Sequence, residues 1–167
     1  MKSRHLVWIG ALSGASVYGD RGGGLATEDS AVVATNSKTK ARVRQELGWM
    51  ALWQRDGLPV HIFRLGGVYG PGRSALDRVR SGALERIAKP GHVFHWVHVE
   101  DVVQTLLASM AKPAPGRVYN VADDEALSIS DLVCLACDAL NIAPPPARPF
   151  DASKLSGVAA AMFADNR

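Results

Sequence analysis

Apolar and polar positions along the chain alternate in blocks that name its elements. His5 to Ala11, "HLVWIGA", is a short and almost wholly apolar run, the pattern of a strand buried on both faces of a parallel sheet. Ser13 to Ala34 reads as a loop, with Gly14, Gly19 and the run Gly22-Gly23-Gly24. "TNSKTKARVRQELGWMALWQRDG" reads as a long helix, with Val43, Leu47, Met50 and Ala51 as one apolar stripe. Asn36 or Ser37 suits its N-cap, and Asp56-Gly57 ends it. "LPVHIFRL" is the next strand, with Val60, Ile62 and Leu65 as its apolar content.

A short amphipathic helix is expected near Ala75 to Arg80 and a strand near Arg86 to Ala88. "HVFHWVHV", His92 to Val99, alternates imperfectly and reads as a strand. "DVVQTLLASM" from Asp101 is a helix, "GRVYNVA" a strand, and "SISDLVCLACDAL" a helix with Ser128 and Asp131 at capping-box spacing. Pro144-Pro145-Pro146 interrupts the chain, and Ala152 to Phe163 reads as weakly helical. Strand, long helix, strand and further alternation indicate an α/β fold with a parallel sheet of four or five strands.

The length of 167 residues suffices for one domain with a buried core. A net charge of +3 is too small to imply a nucleic-acid surface. No apolar run reaches the roughly 18 residues of a membrane span. The start, "MKSRHLVWIGALSGA", imitates a signal peptide, but its apolar run is short and better suited to a strand. Cys134 and Cys137 form a C-x-x-C inside an apolar helical pattern, with no second pair, and read as core residues. His92, His95 and His98 resemble a metal motif, yet alternation on a strand sends His95 to the opposite face, so no metal is expected.

The tripeptide Val-Tyr-Gly occurs twice, in "SVYGD" (Ser16 to Asp20) and "GVYGPGR" (Gly67 to Arg73). Each follows an expected strand, and open parallel sheets bind ligands outside the carboxyl ends of their strands. The flanking residues share nothing else, so two walls of one pocket explain the pair better than a repeat does.

"LSGASVYGD", "HIFRLGGVYGPGR", "HWVHVEDVV" and "RVYNVADDE" stand in the order and spacing of landmarks in extended short-chain dehydrogenase/reductase proteins, the NAD-dependent epimerase/dehydratase group. The chain resembles that family over nearly its whole length, most closely the atypical NAD(P)-binding oxidoreductases. The resemblance implies the second half of a Rossmann-type doubly wound sheet, in residues 1–73, and a small substrate lobe in 74–167. It implies NAD or NADP as cofactor and a small, sugar-like substrate. It places Ser13, Gly14, Leu65, Gly66, Gly67 and Val68 at the cofactor, and Tyr69, Arg73, His98, Lys38 and Arg42 at the substrate.

The sequence departs from the family twice. The opening G-x-x-G-x-x-G, which holds the pyrophosphate on backbone amides and a helix N-terminus, has no counterpart. Gly67 to Gly72 reads G-x-x-G-x-G, but Pro71 removes one donor and the stretch matches the family's second loop. Active members also carry Tyr-x-x-x-Lys at the start of the long helix, where lysine lowers the tyrosine pKa. Alignment on Glu46 puts Lys38 at the tyrosine position and Arg42 at the lysine position. The usual hydroxyl falls on Gly14, beside Ser13 and Ser16. Ser16 and Tyr18 are the remaining catalytic candidates, with packing as the alternative for Tyr18 and Tyr69.

Lys38, Lys40, Arg42 and Arg44 read as a solvated helix face or, for Lys38 and Arg42, as contacts to an acidic ligand. Arg73 is a ligand candidate or a partner of Asp77. Asp101 reads as a helix cap, and Tyr119-Asn120 with the following "ADDE" as structural. The family's Ser-Arg pair is replaced by His95 and Trp96. The expectations are a cytoplasmic protein, or an organellar one if a leader precedes this sequence, with no nucleic-acid or membrane partner. Without the family's first half, one flank of a central strand is left open for homo-oligomerisation. The competing readings are a non-enzymatic interaction module and a partial gene product.

Overall fold

A computed structural model describes residues 6–33, 35–83, 85–154 and 163. β1 (Ile9–Gly14) leads through a single 3-10 turn (Ala15–Tyr18) and a long loop into α1 (Ser37–Asp56), which returns the chain to β2 (Val60–Leu65). β3 (Gly67–Tyr69), α2 (Ala75–Arg80), β4 (Ile87–Ala88), β5 (Trp96–His98), α3 (Val99–Ala111), β6 (Val118–Val121), α4 (Ile129–Ala139) and β7 (Arg148–Pro149) follow. The central sheet runs β1-β2-β6, all parallel, with Ile9 opposite Val60 and Ile62 opposite Val118. β3 pairs with β5, and β4 with β7.

Alternation along β2 builds two cores. Val60 and Ile62, with Ala11 of β1, meet Trp49, Met50 and Trp53 of α1. Phe63 on the opposite face joins Val97, Val102 and Val121, with Trp8, Leu106 and Tyr119 around them. Helices thus cover both faces of a parallel sheet, which is the doubly wound α/β arrangement of a partial Rossmann fold. The reciprocal capping box of Asn36 and Thr39 starts α1. Gly57 ends it at φ 67°, a left-handed conformation that glycine adopts at little cost.

Several boundaries differ from the sequence expectation. The first strand pairs from Ile9 to Gly14, not from His5 to Ala11, because its register on β2 carries Ser13 and Gly14 into the sheet. Leu6 and Val7 are exposed, and His5 lies outside the described residues. The expected stripe on α1 holds only in part and is rotated: Met50 packs on the core, but Leu47 is 62% exposed and Ala51 is exposed, while Thr39 and Glu46 are buried with Trp49 and Trp53 beside them. The cause is the pairing of Glu46 with Arg64 of β2, which turns that side of the helix inward.

Among the described residues the central sheet has three strands, against the four or five expected, because β3, β4, β5 and β7 pair among themselves. Gly66 makes that switch: its amide donates to Val121 O and the next, Gly67, to His95 O. A Cβ on Gly66 would meet the His95 carbonyl oxygen at 2.7 Å, so only glycine allows the approach. The strand expected over His92 to Val99 is confined to Trp96–His98. Of the expected helix from Ala152 to Phe163, Ala152–Lys154 forms a 3-10 turn, and residues 155–162 lie outside the described residues. Cys134 and Cys137 are free thiols on α4, the second buried. No described helix is long and apolar enough to cross a membrane.

Candidate functional site

The carboxyl ends of β1, β2 and β6 open onto a cleft of about 1230 Å³. Ser13, Gly14 and Ser16 line it from the first strand and its turn; Leu65, Gly66, Gly67 and Val68 line it from the second. Tyr18, Lys38, Arg42, Tyr69 and Arg73 also reach its wall. The two Val-Tyr-Gly stretches therefore face one cavity. Among the expected residues, His98 stands behind this wall and not in it. Its Nδ1 accepts from the Glu100 amide at 3.3 Å as the N-cap of α3, and its ring stands edge-on to Tyr69. His98, not Asp101, is that helix's cap.

The floor of the cleft is a buried polar network. Arg64 donates to Glu46 through Nη2 at 2.8 Å and Nε at 3.1 Å, and both side chains are below 10% exposed. Its Nη1 donates to Tyr18 Oη at 2.9 Å and to the Glu28 carbonyl at 3.2 Å. Tyr18 donates in turn to Asn120 Oδ1 at 2.6 Å, beneath a guanidinium 4.9 Å from its ring centre. Ser13 donates to Glu46, Asn120 Nδ2 to Ala26 O, and the Asn120 amide to Glu28. Burial opposes the charge on Arg64, but its bonds to Glu46 and Tyr18 outweigh that and hold its pKa above the ordinary value. With its phenol engaged on both sides and 1% exposed, Tyr18 is a strut of the floor.

Tyr69 is placed differently. Its phenol donates to Asp123 Oδ2 at 3.3 Å. Burial, then the Asp123 charge and hydrogen bond, then the charge on Asp101 raise its pKa above the usual tyrosine value, so it is a protonated donor at neutral pH. Asp123 is itself fixed to β5: its amide donates to Trp96 O at 2.7 Å, and its carbonyl lies 3.1 Å from His95 Nδ1. The sequence reading took Asn120 and the "ADDE" stretch as structural, but Asn120, Asp123, Asp124 and Glu125 line the cleft. Their signal was position, directly after a strand whose carboxyl end faces the ligand crevice. Arg64 and Glu46 were missed as a pair because nothing local marks a contact eighteen residues apart.

On the basic side, Arg42 Nη1 donates to Ser16 Oγ at 3.0 Å. Arg73 does not take Asp77, which closes the capping box of α2 with Ser74 and stands 3.9 Å from Arg80. His92, His95 and His98 do not converge: His92 packs against Phe94 and Phe163, and the others are engaged as described.

Residues 4–122 match the family model described as the NAD dependent epimerase/dehydratase family. The chain belongs to that family. Protein YeeZ of Escherichia coli is 36% identical over 111 residues, 65% of this chain and 37% of its own length. The dTDP-glucose 4,6-dehydratase of Streptomyces griseus is 28% identical over 74% of this chain and 40% of its own. The structure of a functionally unknown conserved protein from Silicibacter pomeroyi DSS superposes with a TM-score of 0.88 at 41% identity. That likeness covers 96% of this chain and 56% of the other. The chain therefore spans about half, or less, of the length of these relatives. DesIV of Streptomyces venezuelae, a dTDP-glucose 4,6-dehydratase solved with NAD and TYD, shares the fold at 22% identity and a TM-score of 0.75.

The family name implies a nicotinamide dinucleotide, and the cleft tests it. A pyrophosphate needs unspent amides at a helix N-terminus or a glycine turn. Here the amides of Gly66, Gly67 and Gly70 are spent on Val121 O, His95 O and Arg73 O. β1 passes into a single 3-10 turn, Ala15–Tyr18, and not into a glycine-rich turn that opens a helix, and α1 starts only at Ser37. The glycine turns of the described residues do not supply the amide cradle that holds the pyrophosphate of a dinucleotide.

Proposed function

We propose that this chain is the substrate side of an NAD- or NADP-linked epimerase/dehydratase-like protein and binds a small, sugar-like molecule in the cleft. The observation that carries the reading is the convergence of three parallel strand ends and both Val-Tyr-Gly stretches on one cavity. In it, Ser13, Gly14 and Leu65 to Val68 form the wall nearest the sheet, where the family's nicotinamide would lie. Tyr69, Arg73, Lys38 and Arg42 face the substrate. Catalysis by these residues alone is not part of the proposal. By the resemblance, Lys38 and Arg42 take the positions of the family's phenol and amine, and the Tyr18 phenol is committed to the floor.

Thermal unfolding with and without UDP-glucose, dTDP-glucose, NAD and NADP tests this reading. A ligand that binds only the folded chain raises its midpoint. The expected result is a rise with a sugar nucleotide and little with either dinucleotide alone. No response to any sugar nucleotide overturns the substrate-side reading, and hydride transfer by the isolated chain overturns its inactivity.

A second reading is an interaction module. β1 pairs with β2 only, so its other edge is unpaired among the described strands, beside a Leu12 that is 52% exposed. Sedimentation that shows a stable dimer, abolished by Leu12→Lys, supports it; a monomer at all concentrations removes it.

A further inference from the structure

Gly14 poses a question that its backbone does not answer. Its φ of −154° and ψ of 152° are extended, a conformation open to every residue. The missing side chain matters for space. A Cβ there would meet Arg42 Nη1 at 2.4 Å. The guanidinium of Arg42 occupies the place where the side chain of residue 14 would stand, at the carboxyl end of β1. Ser16 steadies it there by accepting one hydrogen bond.

A guanidinium carries five N–H donors. Arg42 spends one on Ser16, makes no ion pair among the described residues, and lines the cleft. Lys38, one turn earlier on the same face of α1, lines the cleft too and has no ion pair there. The first turn of α1 holds no acidic residue, so Lys38 adds to the positive end of its dipole, with Arg42 one turn further on. Arg64, by contrast, is neutralised by Glu46. The cleft thus holds, across from Asp123, Asp124 and Glu125, two cations without an ion pair among the described residues, where the family resemblance expects a proton-transfer pair.

We propose that Arg42 and Lys38, with Ser16 as a brace and Gly14 as the space that admits the guanidinium, form an oxyanion-binding subsite. It grips a phosphoryl or carboxylate group of the ligand. The inference rests on the cleft being a ligand site, as the proposed function holds, and names the charge of that ligand. It also exchanges proton transfer for anion recognition at this position.

The test is titration calorimetry of the full chain with inorganic pyrophosphate and, separately, malonate. The wild-type chain binds at least one of them, and the tighter of the two identifies the phosphoryl or the carboxylate class. Arg42→Gln weakens that binding by about tenfold or more, the scale of a charge-assisted contact. Gly14→Ala weakens it similarly while unfolding stays cooperative, because the added methyl displaces only the end of a flexible side chain. Lys40→Gln, on α1 but away from the cleft, leaves it unchanged. Equal weakening by Arg42→Gln and Lys40→Gln overturns the proposal, as does a wild-type chain that binds neither anion. A sugar nucleotide bound equally by wild type and Arg42→Gln keeps the substrate-side reading and removes this subsite. Anion binding lost in Arg42→Gln, with no response to any sugar nucleotide, does the reverse.

Discussion

The two Val-Tyr-Gly stretches are identical in sequence and opposite in fate. Val17 and Tyr18 are 0% and 1% exposed, inside a 3-10 turn under the cleft floor. Val68 and Tyr69 are half-buried, on a strand that has left the central sheet to pair with β5. Tyr18 gives and accepts hydrogen bonds within a closed network of Arg64, Glu46 and Asn120. Tyr69 makes one longer bond to Asp123 at the cleft wall. A short motif therefore sets how a chain leaves a strand. What the next few residues pair with decides whether its tyrosine becomes scaffold or surface.

The strongest way to break this contrast is to open the network under Tyr18. Glu46→Ala leaves the Arg64 guanidinium buried without its counter-charge, and such losses cost about 3–5 kcal/mol. Chemical denaturation should show a fall of that order. Replacing both members by leucine should cost less than the two single changes summed, since no orphan charge remains. A loss under about 1 kcal/mol for Glu46→Ala would mean that the pair is solvated and that Tyr18 is not locked.

Next in size is Tyr18→Phe. It leaves Asn120 Oδ1 without its donor and Arg64 Nη1 without one acceptor, at a cost of about 1–3 kcal/mol. Tyr69→Phe should cost less than about 1 kcal/mol, because its one bond of 3.3 Å lies at a cleft open to water. Equal costs for the two would erase the distinction between strut and wall.

How much of this was legible beforehand follows the range of each interaction. The N-caps at Asn36 and Ser128, the glycine stop at Gly57 and the end of β2 at Leu65 depend on neighbours in sequence, and those readings coincide with the structure. The convergence of the strand ends was legible too, through the position of each glycine loop after an apolar run. The rotation of α1 was not, because it follows from Glu46 reaching across to Arg64. The pairing of β3 with β5 was hidden for the same reason: three residues of Gly-Val-Tyr carry little periodicity, and their partner lies at Trp96–His98. Asp123 was passed over because an acidic loop looks solvated until its backbone is seen tied to His95 and Trp96.

The smallest predicted effect is the one specific to the wall. Burial and the charge of Asp123 raise the Tyr69 pKa, so the folded chain holds that proton more tightly than the unfolded chain does. The sign follows from linkage. Below the ordinary tyrosine value, near 10, both states are protonated and the contribution is fully present. As pH rises past that value the unfolded chain releases its proton first, and stability falls until the folded phenol ionises as well. Wild type should therefore lose stability more steeply than Tyr69→Phe above about pH 10 and run parallel to it between pH 7 and 9. Asp123→Asn, which removes both the charge and the acceptor carboxylate, should flatten the wild-type curve toward that of the phenylalanine variant. If Asp123→Asn leaves the alkaline slope untouched, the phenol is not governed by Asp123, and the wall of the cleft loses the feature that separates Tyr69 from Tyr18.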